Sequence, residues 1–430
     1  MSKYERSSLP MITHKPHKEL LPHLFRQEFS KMTAVLCRHF GFKHIELAED
    51  IASETFLKAF EIWPVKGIPE NPTAWLYTVA KNKTKDYLRH RSVVENHLKD
   101  FATYMPSNHR TEFEFTDANI RDSQLAMMFA VSNATLNSTD AQISLALQIL
   151  CGFSLQEIAN AFLTNVETVK KRLRRARASL REQEFQLEAL SSDDIQSGQT
   201  TVLRTLYLLF NEGYFSKTNS QIVRKDLCTE ALRLALVLKQ NVLTDTPQTN
   251  ALIALMCFQS SRIEARQTQY GEAVLFENQD KDMWDKDLID RGNFYLTTAF
   301  QARTTSKYHL EAAIAHWHAC GNPDHKWPQI LKLYDELIKT ERSPITAYNR
   351  IFALAKVHGS LKALQEIKKL PAVESNYYFA LLGYLNTNVD NEAAINFYRQ
   401  AIKLTSSDCE KQRITTEINR LSSPMSGVPT

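Results

Sequence analysis

The sequence predicts an all-α protein built from three helical parts. The chain has 430 residues, 43% hydrophobic and 23% charged, an ordinary globular composition that suits roughly two to four domains. It contains only 11 glycines and 14 prolines, about 3% each against usual values of about 7% and 5%, so few positions suit the tight turns of a many-stranded fold. Apolar residues also recur at helical spacing almost from end to end.

Polar stretches between the helical segments predict the domain boundaries. We expect an N-terminal tail at 1–21, a first helical part at 22–92, a linker at 93–122, a second helical part at 123–188, a linker at 189–200, a third helical part at 201–421 and a disordered tail at 422–430. The net charge is only +4, so a nucleic-acid surface has to be a local cluster. The six cysteines are scattered, which argues against disulfides and favours the cytoplasm. No apolar run is long enough for a membrane span or a signal sequence.

A strongly basic helix is predicted at 166–181, after a shorter helix and a tight turn. Its apolar residues fall in an arc of roughly 80°, and its cations fill the adjoining arc of roughly 160°. This pattern is typical of a helix-turn-helix, whose second helix enters the major groove of DNA. The side chains expected to read bases or grip the DNA backbone are Glu167, Thr168, Lys170, Lys171, Arg172, Arg174, Arg175 and Arg177. A solvated cationic helix face is the alternative.

Two further helices are predicted in the first part. One begins near Pro72 and carries Lys81, Lys85 and Arg89 at i, i+4 and i+8, with Asn82 beside them and Trp75 on its apolar side. Amides and aromatic rings beside cations suit the capture of an unstacked base, although a wet basic face would give the same pattern. The helix upstream presents acidic residues instead, including Glu49, Asp50 and Glu54, and offers no histidine at metal-ligand spacing.

The third part predicts stacked helical pairs. Helices are expected at 308–319, 327–339, 346–357 and 376–384. The segment NEAAINFYRQAIKL places Ala394, Tyr398 and Ala401 in the spacing of a tetratricopeptide second helix. We interpret the region as a degenerate repeat array, with an irregular helical bundle as the alternative.

No cofactor or metal site is predicted. The two histidines of HWHAC point about 200° apart on a helix and cannot chelate one ion. A compact turn ending in a capping glycine is expected at NEGY, and a structured acidic loop at QDKDMWD. These two segments are candidate contacts for a regulatory protein or ligand, through Asn211, Glu212, Gly213, Tyr214, Asp280, Asp282, Trp284 and Asp285.

These segments together resemble the extracytoplasmic-function sigma factors of bacterial RNA polymerase. AEDIASETFLKAFEIWP and TAWLYTVAKNKTKDYLRHR resemble region 2, with the pattern W-L-x3-A-x-N-x3-D-x2-R, and the 47 residues from LNSTDAQ to ASLRE resemble region 4. The rest, including YLLFNEGYF and VLFENQDKDMWD, is similar to the tetratricopeptide-like C-terminal extension of one subgroup. The resemblance implies a sigma region 2 helical bundle, a sigma region 4 helix-turn-helix and a C-terminal tetratricopeptide-like helical domain.

The resemblance also implies partners and roles. Core RNA polymerase would bind through its β′ clamp coiled coil, at Glu49, Asp50 and Glu54, and through its β flap. Promoter DNA would be opened at the −10 element by Asn82 with its neighbouring cations, and read at the −35 element by the basic helix. Many members have Gly and Ser where this chain has Glu167 and Lys171, so its promoter sequence is expected to differ from theirs. The extension is expected to control activity.

Two other functions compete with this interpretation. A conventional helix-turn-helix regulator with a helical sensor domain would bind duplex DNA without core polymerase. An enzyme located in the third part would need a nucleophile and a base at compatible spacing, and no such set stands out. We therefore expect a non-enzymatic initiation factor for a restricted set of genes.

Overall fold

The chain folds into α-helices throughout the part that is described. The computed structural model describes residues 17–98, 114–132, 138–162, 164–182, 192–214, 225–266, 268, 274, 276–302, 304–321, 323–341, 343–371, 374–405 and 408–422. These residues form eighteen α-helices and no β-strand, which confirms the all-α prediction. The chain divides into two compact units, Met1–Thr205 and Leu206–Thr430.

Unit 1 begins with a three-helix bundle. Helices α1 (His17–Phe40), α2 (Ile45–Lys66) and α3 (Pro72–Leu98) pack on one another. Leu36, Ile45 and Leu76 are fully buried between them. Because the apolar sides of all three helices meet in this core, the acidic side of α2 and the basic side of α3 lie outside it.

The second half of unit 1 contains the predicted helix-turn-helix. It comprises α4 (Asp117–Val131), α5 (Thr139–Cys151), α6 (Leu155–Ala161) and α7 (Val166–Glu182). Helix α5 ends at Gly152, whose φ of 64° lies in the left-handed region that glycine adopts without strain. Ser154 and Glu157 form a capping box that starts α6. Helix α7 packs on α5 and α6, and α1 packs on α4 and α5.

Unit 2 is a succession of helices, most of which pack on the next helix along the chain. Helix α8 (Ser192–Tyr214) crosses from the first unit into the second. It is followed by α9 (Lys225–Lys239), α10 (Pro247–Ser260), α11 (Lys286–Ala299), α12 (Lys307–Ala319), α13 (Pro323–Thr340), α14 (Pro344–His358), α15 (Ser360–Ile367), α16 (Asn376–Asn386), α17 (Asn391–Leu404) and α18 (Asp408–Ser422). Helix α10 is buried on all sides along most of its length and packs against α9, α11 and α12. It therefore forms the core of the N-terminal half of this unit.

The four helices predicted for the third part are confirmed as α12, α13, α14 and α16, with ends extended by a few residues. In α17, Ala394, Tyr398 and Ala401 are all buried, as expected from their spacing. A Cβ atom on Gly383 of α16 would lie 2.5 Å from the ring of Tyr398, so the two helices approach each other closely at this glycine. Assignment of the whole array to that repeat class stays a prediction.

Several helices extend across the predicted boundaries. Helix α1 begins at His17 rather than residue 22, and α3 continues to Leu98. The predicted linker at 93–122 contains the start of α4, where the Thr116 side chain caps the first turn by accepting a hydrogen bond from the N–H of Asn119. Most of the predicted linker at 189–200 is the first part of α8. The predicted terminal tails lie mainly outside the described residues, at 1–16 and 423–430.

Candidate nucleic-acid interface

Helix α7 is held in place by its buried apolar side and by a side-chain cap at its N-terminus. Val169, Leu173, Ala176 and Leu180 are buried on α5 and α6, which confirms the predicted apolar face. The Thr168 N–H donates to Oδ1 of Asn165 at 2.8 Å. This Asn165 cap fixes the start of the helix and was missed in the sequence, because an asparagine in a polar turn carries no distinctive spacing.

The outward side of α7 presents an open cationic strip. Lys171, Arg174 and Arg175 are exposed and lie within an arc of about 100° on the helix. None of the three has an ion-pair partner among the residues that the structure describes. At the start of the helix, Lys170 instead pairs with Glu167 at 2.8 Å. The strip is therefore the part of the predicted surface that is available to a polyanion.

Two other predicted DNA contacts are engaged within unit 1. The Nη1 and Nη2 atoms of Arg177 donate to Oε2 and Oε1 of Glu49 at 2.9 and 2.8 Å, and Nη2 also donates to Gln148 at 3.0 Å. Burial lowers the pKa of Arg177, but its hydrogen bonds to Glu49 and the charge of that carboxylate outweigh burial and raise it. Arg172 stacks on the ring of Phe162, with its Cζ atom 5.0 Å from the ring centroid.

The pairing of Glu49 with Arg177 joins two surfaces that the sequence assigned to different partners. Glu49 lies on α2, in the predicted polymerase contact, and Arg177 lies on the predicted DNA-binding helix. A second pair, Arg181 with Glu46 at 3.1 Å, lies one helical turn closer to the C-terminus of α7 and one turn closer to the N-terminus of α2. The arrangement brings α7 against α2, and sequence patterns alone gave no sign of it.

The predicted base-capturing face of α3 is exposed. Asn82, Lys85 and Arg89 point to solvent, and Lys81 is partly exposed beside Glu114, at 4.0 Å. Lys81, Asn82, Lys85 and Arg89 share an arc of about 100°. Trp75 sits nearer the core, where its ring packs edge-on against Trp63 with 5.5 Å between centroids. It supports the helix and exposes only part of its ring.

An open cleft separates the acidic side of α2 from α3. It is lined by Leu47, Asp50, Ile51, Glu54, Lys83, Asp86 and Tyr87. Lys83 bridges the two helices through an ion pair with Glu54 at 2.5 Å. Asp50 and Glu54 thus lie together on an exposed, mainly acidic surface, as the prediction of a protein contact requires, while Glu49 faces α7.

The residues predicted for regulatory contact have structural roles in unit 2. The expected turn at Asn211, Glu212, Gly213 and Tyr214 was wrong, because α8 continues through Tyr214. Gly213 and Tyr214 are buried. The Tyr214 hydroxyl accepts a hydrogen bond from Arg262 at 2.8 Å, and its carbonyl accepts one from Arg266 at 2.5 Å.

The acidic segment around Trp284 is ordered by its own caps. Asp280 starts a short 3-10 turn by accepting from the N–H of Asp282, and Asp285 starts α11 by accepting from the N–H of Leu288. Trp284 is 5% exposed. Only Asp282 keeps an exposed carboxylate without a capping role, so it is the best probe of a contact through this segment.

The HWHAC histidines contact other residues of unit 2. His316 lies 2.8 Å from Oδ1 of Asn293. Burial, with Lys326 and Arg262 nearby, lowers the pKa of His318 to about 3, so it is neutral at physiological pH. Within the described ranges there is no cluster of three or more metal-ligating side chains, and no helix there is long and apolar enough to cross a membrane.

Comparisons with known proteins identify two segments of the chain. Residues 24–93 match the family described as Sigma-70 region 2, and this range covers α2 and most of α1 and α3. Residues 199–300 match a family of unknown function, DUF6596. No solved structure matches the chain.

One curated relative matches most of the chain. Uncharacterized protein R00370 of Rhizobium meliloti (strain 1021) is 33% identical over 344 residues, which span 79% of this chain and 80% of the relative. Identity at this level over most of both chains places the two proteins in one family. This chain belongs to the family of that relative, and the match of its N-terminal bundle to Sigma-70 region 2 supports a sigma factor family, whose members bind RNA polymerase for transcription initiation.

Proposed function

We propose that the protein is an alternative sigma factor of the extracytoplasmic-function type that directs core RNA polymerase to a restricted set of promoters. The observation that carries this proposal is the cationic strip of α7, Lys171, Arg174 and Arg175, on a helix-turn-helix in the same chain as sigma-70 region 2. A sigma factor needs both surfaces, one to read duplex DNA and one to hold the opened strand.

The assignment of each surface follows from its exposure. On α7, Arg174 and Arg175 are free to contact backbone phosphates, and Lys171 lies near the N-terminal end, where a recognition helix meets base edges. On α3, the exposed Asn82 offers amide donors and acceptors beside Lys85, which suits a splayed base next to its phosphate. Asp50 and Glu54, in the cleft beside α3, are the proposed contact with the β′ clamp coiled coil.

The pairing of Glu49 with Arg177 supports regulation through the separation of α7 from α2. While these side chains bond each other, Glu49 cannot contact polymerase and Arg177 cannot contact a phosphate. Binding of polymerase and promoter would therefore have to separate α7 from α2 and replace the pair with new contacts. We propose that the C-terminal helical part sets how readily this separation occurs.

The test is promoter opening by full-length protein with core polymerase. Permanganate footprinting detects unstacked thymines in the −10 region. Asn82→Ala should reduce opening while leaving binding to duplex promoter DNA unchanged, and the Arg174→Gln/Arg175→Gln variant should reduce both. Lys403→Gln, an exposed charge loss on α17, is the control and should change neither. Specific duplex binding by the wild type without any opening would instead favour a conventional helix-turn-helix regulator.

A further inference from the structure

Unit 2 contains a row of aromatic rings that the sequence analysis did not single out. Trp284, Phe276, His318, Trp327 and Phe352 follow one another with ring centroids 5.9, 4.9, 5.8 and 5.6 Å apart. The members come from the segment between α10 and α11 and from α12, α13 and α14. We refer to these five rings as the aromatic row.

Three cations lie against the aromatic row. The Arg262 Cζ atom is 4.7 Å from the Phe276 centroid and 5.7 Å from that of Trp284. Lys326 Nζ is 4.7 Å from Phe276 and 5.4 Å from Trp327. Lys356 Nζ is 5.6 Å from Trp327 and 5.3 Å from Phe352. Each of the three residues is partly exposed.

The positive charge at this row is not balanced within the described residues. The one carboxylate in direct contact is Glu277, which is paired with Lys356 at 3.1 Å. The three cations therefore exceed the carboxylate by two charges. Burial, then Lys281 and Arg262, lower the pKa of Lys326. Burial and Arg266 also lower the pKa of Arg262, although Tyr214 opposes them. Holding cations together in this way costs free energy unless an anion offsets their repulsion.

The same row holds two buried polar atoms that lack a hydrogen-bond partner among the described residues, Nε1 of Trp284 and Nδ1 of His318. The indole N–H is a donor only, and buried donors almost always have an acceptor. An anion bound beside these cations could therefore also accept a hydrogen bond from the indole N–H.

We propose that Arg262, Lys326 and Lys356 form, with the aromatic row, a binding site for the phosphate group of a small molecule. Phosphate monoesters carry a charge of about −1.5 to −2 at pH 7 and three acceptor oxygens, which matches the excess of two positive charges. A guanidinium presents donors in a fork that fits phosphate oxygens. Arg262 uses Nη2 for Tyr214 and Nη1 for a long contact of 3.5 Å with Gln279, and these contacts leave further donors on the guanidinium.

This site deepens the proposed function, because it names a ligand for the part of the chain to which we assign regulation. Binding is measured on the protein without polymerase or DNA. A negative result in the binding experiment therefore does not count against the proposed sigma function. A negative result in the transcription experiments likewise does not count against the phosphate site.

The experiment is calorimetric titration of the full-length protein with inorganic phosphate and, separately, with adenosine monophosphate, in chloride buffer of constant ionic strength. We expect saturable binding of at least one probe. Tighter binding of the nucleotide would indicate an organic phosphate, and equal or tighter binding of inorganic phosphate would indicate the free anion. Lys326→Gln should weaken binding on the order of tenfold or more, the effect of losing a charged hydrogen bond.

Matched variants separate the site from general charge effects. Lys339→Gln removes the same charge from the same helix at an exposed position paired with Glu336, and it should not change affinity. Lys326→Arg should retain most of the affinity, and Lys356→Gln replaces Lys326→Gln if that variant loses its helical circular dichroism. Equal weakening by Lys339→Gln and Lys326→Gln would overturn the proposal. The absence of saturable binding of both probes would also overturn it. If neither probe binds but polyglutamate binds in a way that depends on Lys326, the aromatic row is instead a contact for an acidic protein segment.

Discussion

The ion pair between Glu49 and Arg177 gives a prediction whose size follows from its geometry. The two side chains are only 23% and 16% exposed and share two hydrogen bonds. Exposed pairs typically contribute about 0.2–1 kcal/mol, whereas losing one partner of a buried pair costs about 3–5 kcal/mol. This pair lies between those limits, so we expect a coupling free energy of about 2 kcal/mol.

A double-mutant cycle with Glu49→Gln and Arg177→Gln measures that coupling. Because the chain contains two units, global unfolding need not be two-state, and hydrogen exchange of the amides in α2 and α7 is the better assay. Each single variant should lower the free energy of local opening, and the double variant should lower it by about 2 kcal/mol less than the sum of the two. This difference corresponds to roughly a thirtyfold change in protection.

The pair formed by Glu46 and Arg181 is the matched control, since it joins the same two helices. Its side chains are 46% and 45% exposed with one contact at 3.1 Å, so its coupling should stay below about 1 kcal/mol. Equal couplings for the two pairs, or none for Glu49 and Arg177, would refute the argument that burial and bidentate geometry fasten α7 to α2.

Three further predictions concern unit 2 and its link to transcription. Gly383→Ala should destabilise the α16 and α17 pair by about 1–3 kcal/mol through overpacking against Tyr398, and adding Tyr398→Leu should recover part of the loss in melting temperature. Burial, reinforced by Glu341 and opposed by Lys307, raises the pKa of Glu311 to about 7; the folded state therefore favours the protonated form, and this stabilisation is complete below the ordinary pKa of 4.5 and lost as pH rises through 7. Over that pH range the unfolding free energy of the wild type, measured by thermal unfolding, should fall by up to about 3 kcal/mol relative to that of Glu311→Gln. Parallel pH profiles of stability for the two proteins would exclude a raised pKa of Glu311. Asp282→Lys should change transcription without changing helical content, whereas Asp280→Lys should also cost a cap; unaltered transcription in Asp282→Lys would remove this segment from regulation.

The helices were predictable where periodicity and packing agreed. The buried residues of α7 and of α17 fall at the expected spacing, because the same apolar face that marks a helix in the sequence also decides which side is buried. Helix starts in polar stretches were missed. The beginnings of α4 and α8 depend on Thr116 and on the acidic residues Asp193 and Asp194, and such residues are equally common in linkers.

The candidate site was only partly predictable for a related reason. The exposure of Lys171, Arg174 and Arg175 follows from residue spacing within one helix, so the sequence pattern was enough to predict it. The bond between Arg177 and Glu49 joins residues 128 positions apart, and the aromatic row joins residues from three helices and from the segment between α10 and α11. A single sequence carries no periodic signal for contacts of this kind, because they depend on how the elements pack.

The central claim is that this chain selects start sites for core RNA polymerase. Its most direct test is multi-round transcription by core polymerase and full-length protein on a genomic promoter library, with the 5′ ends of the transcripts mapped. The account predicts a limited set of start sites that share two upstream elements and that disappear with the Arg174→Gln/Arg175→Gln variant. Start sites identical to those of core polymerase alone would contradict it.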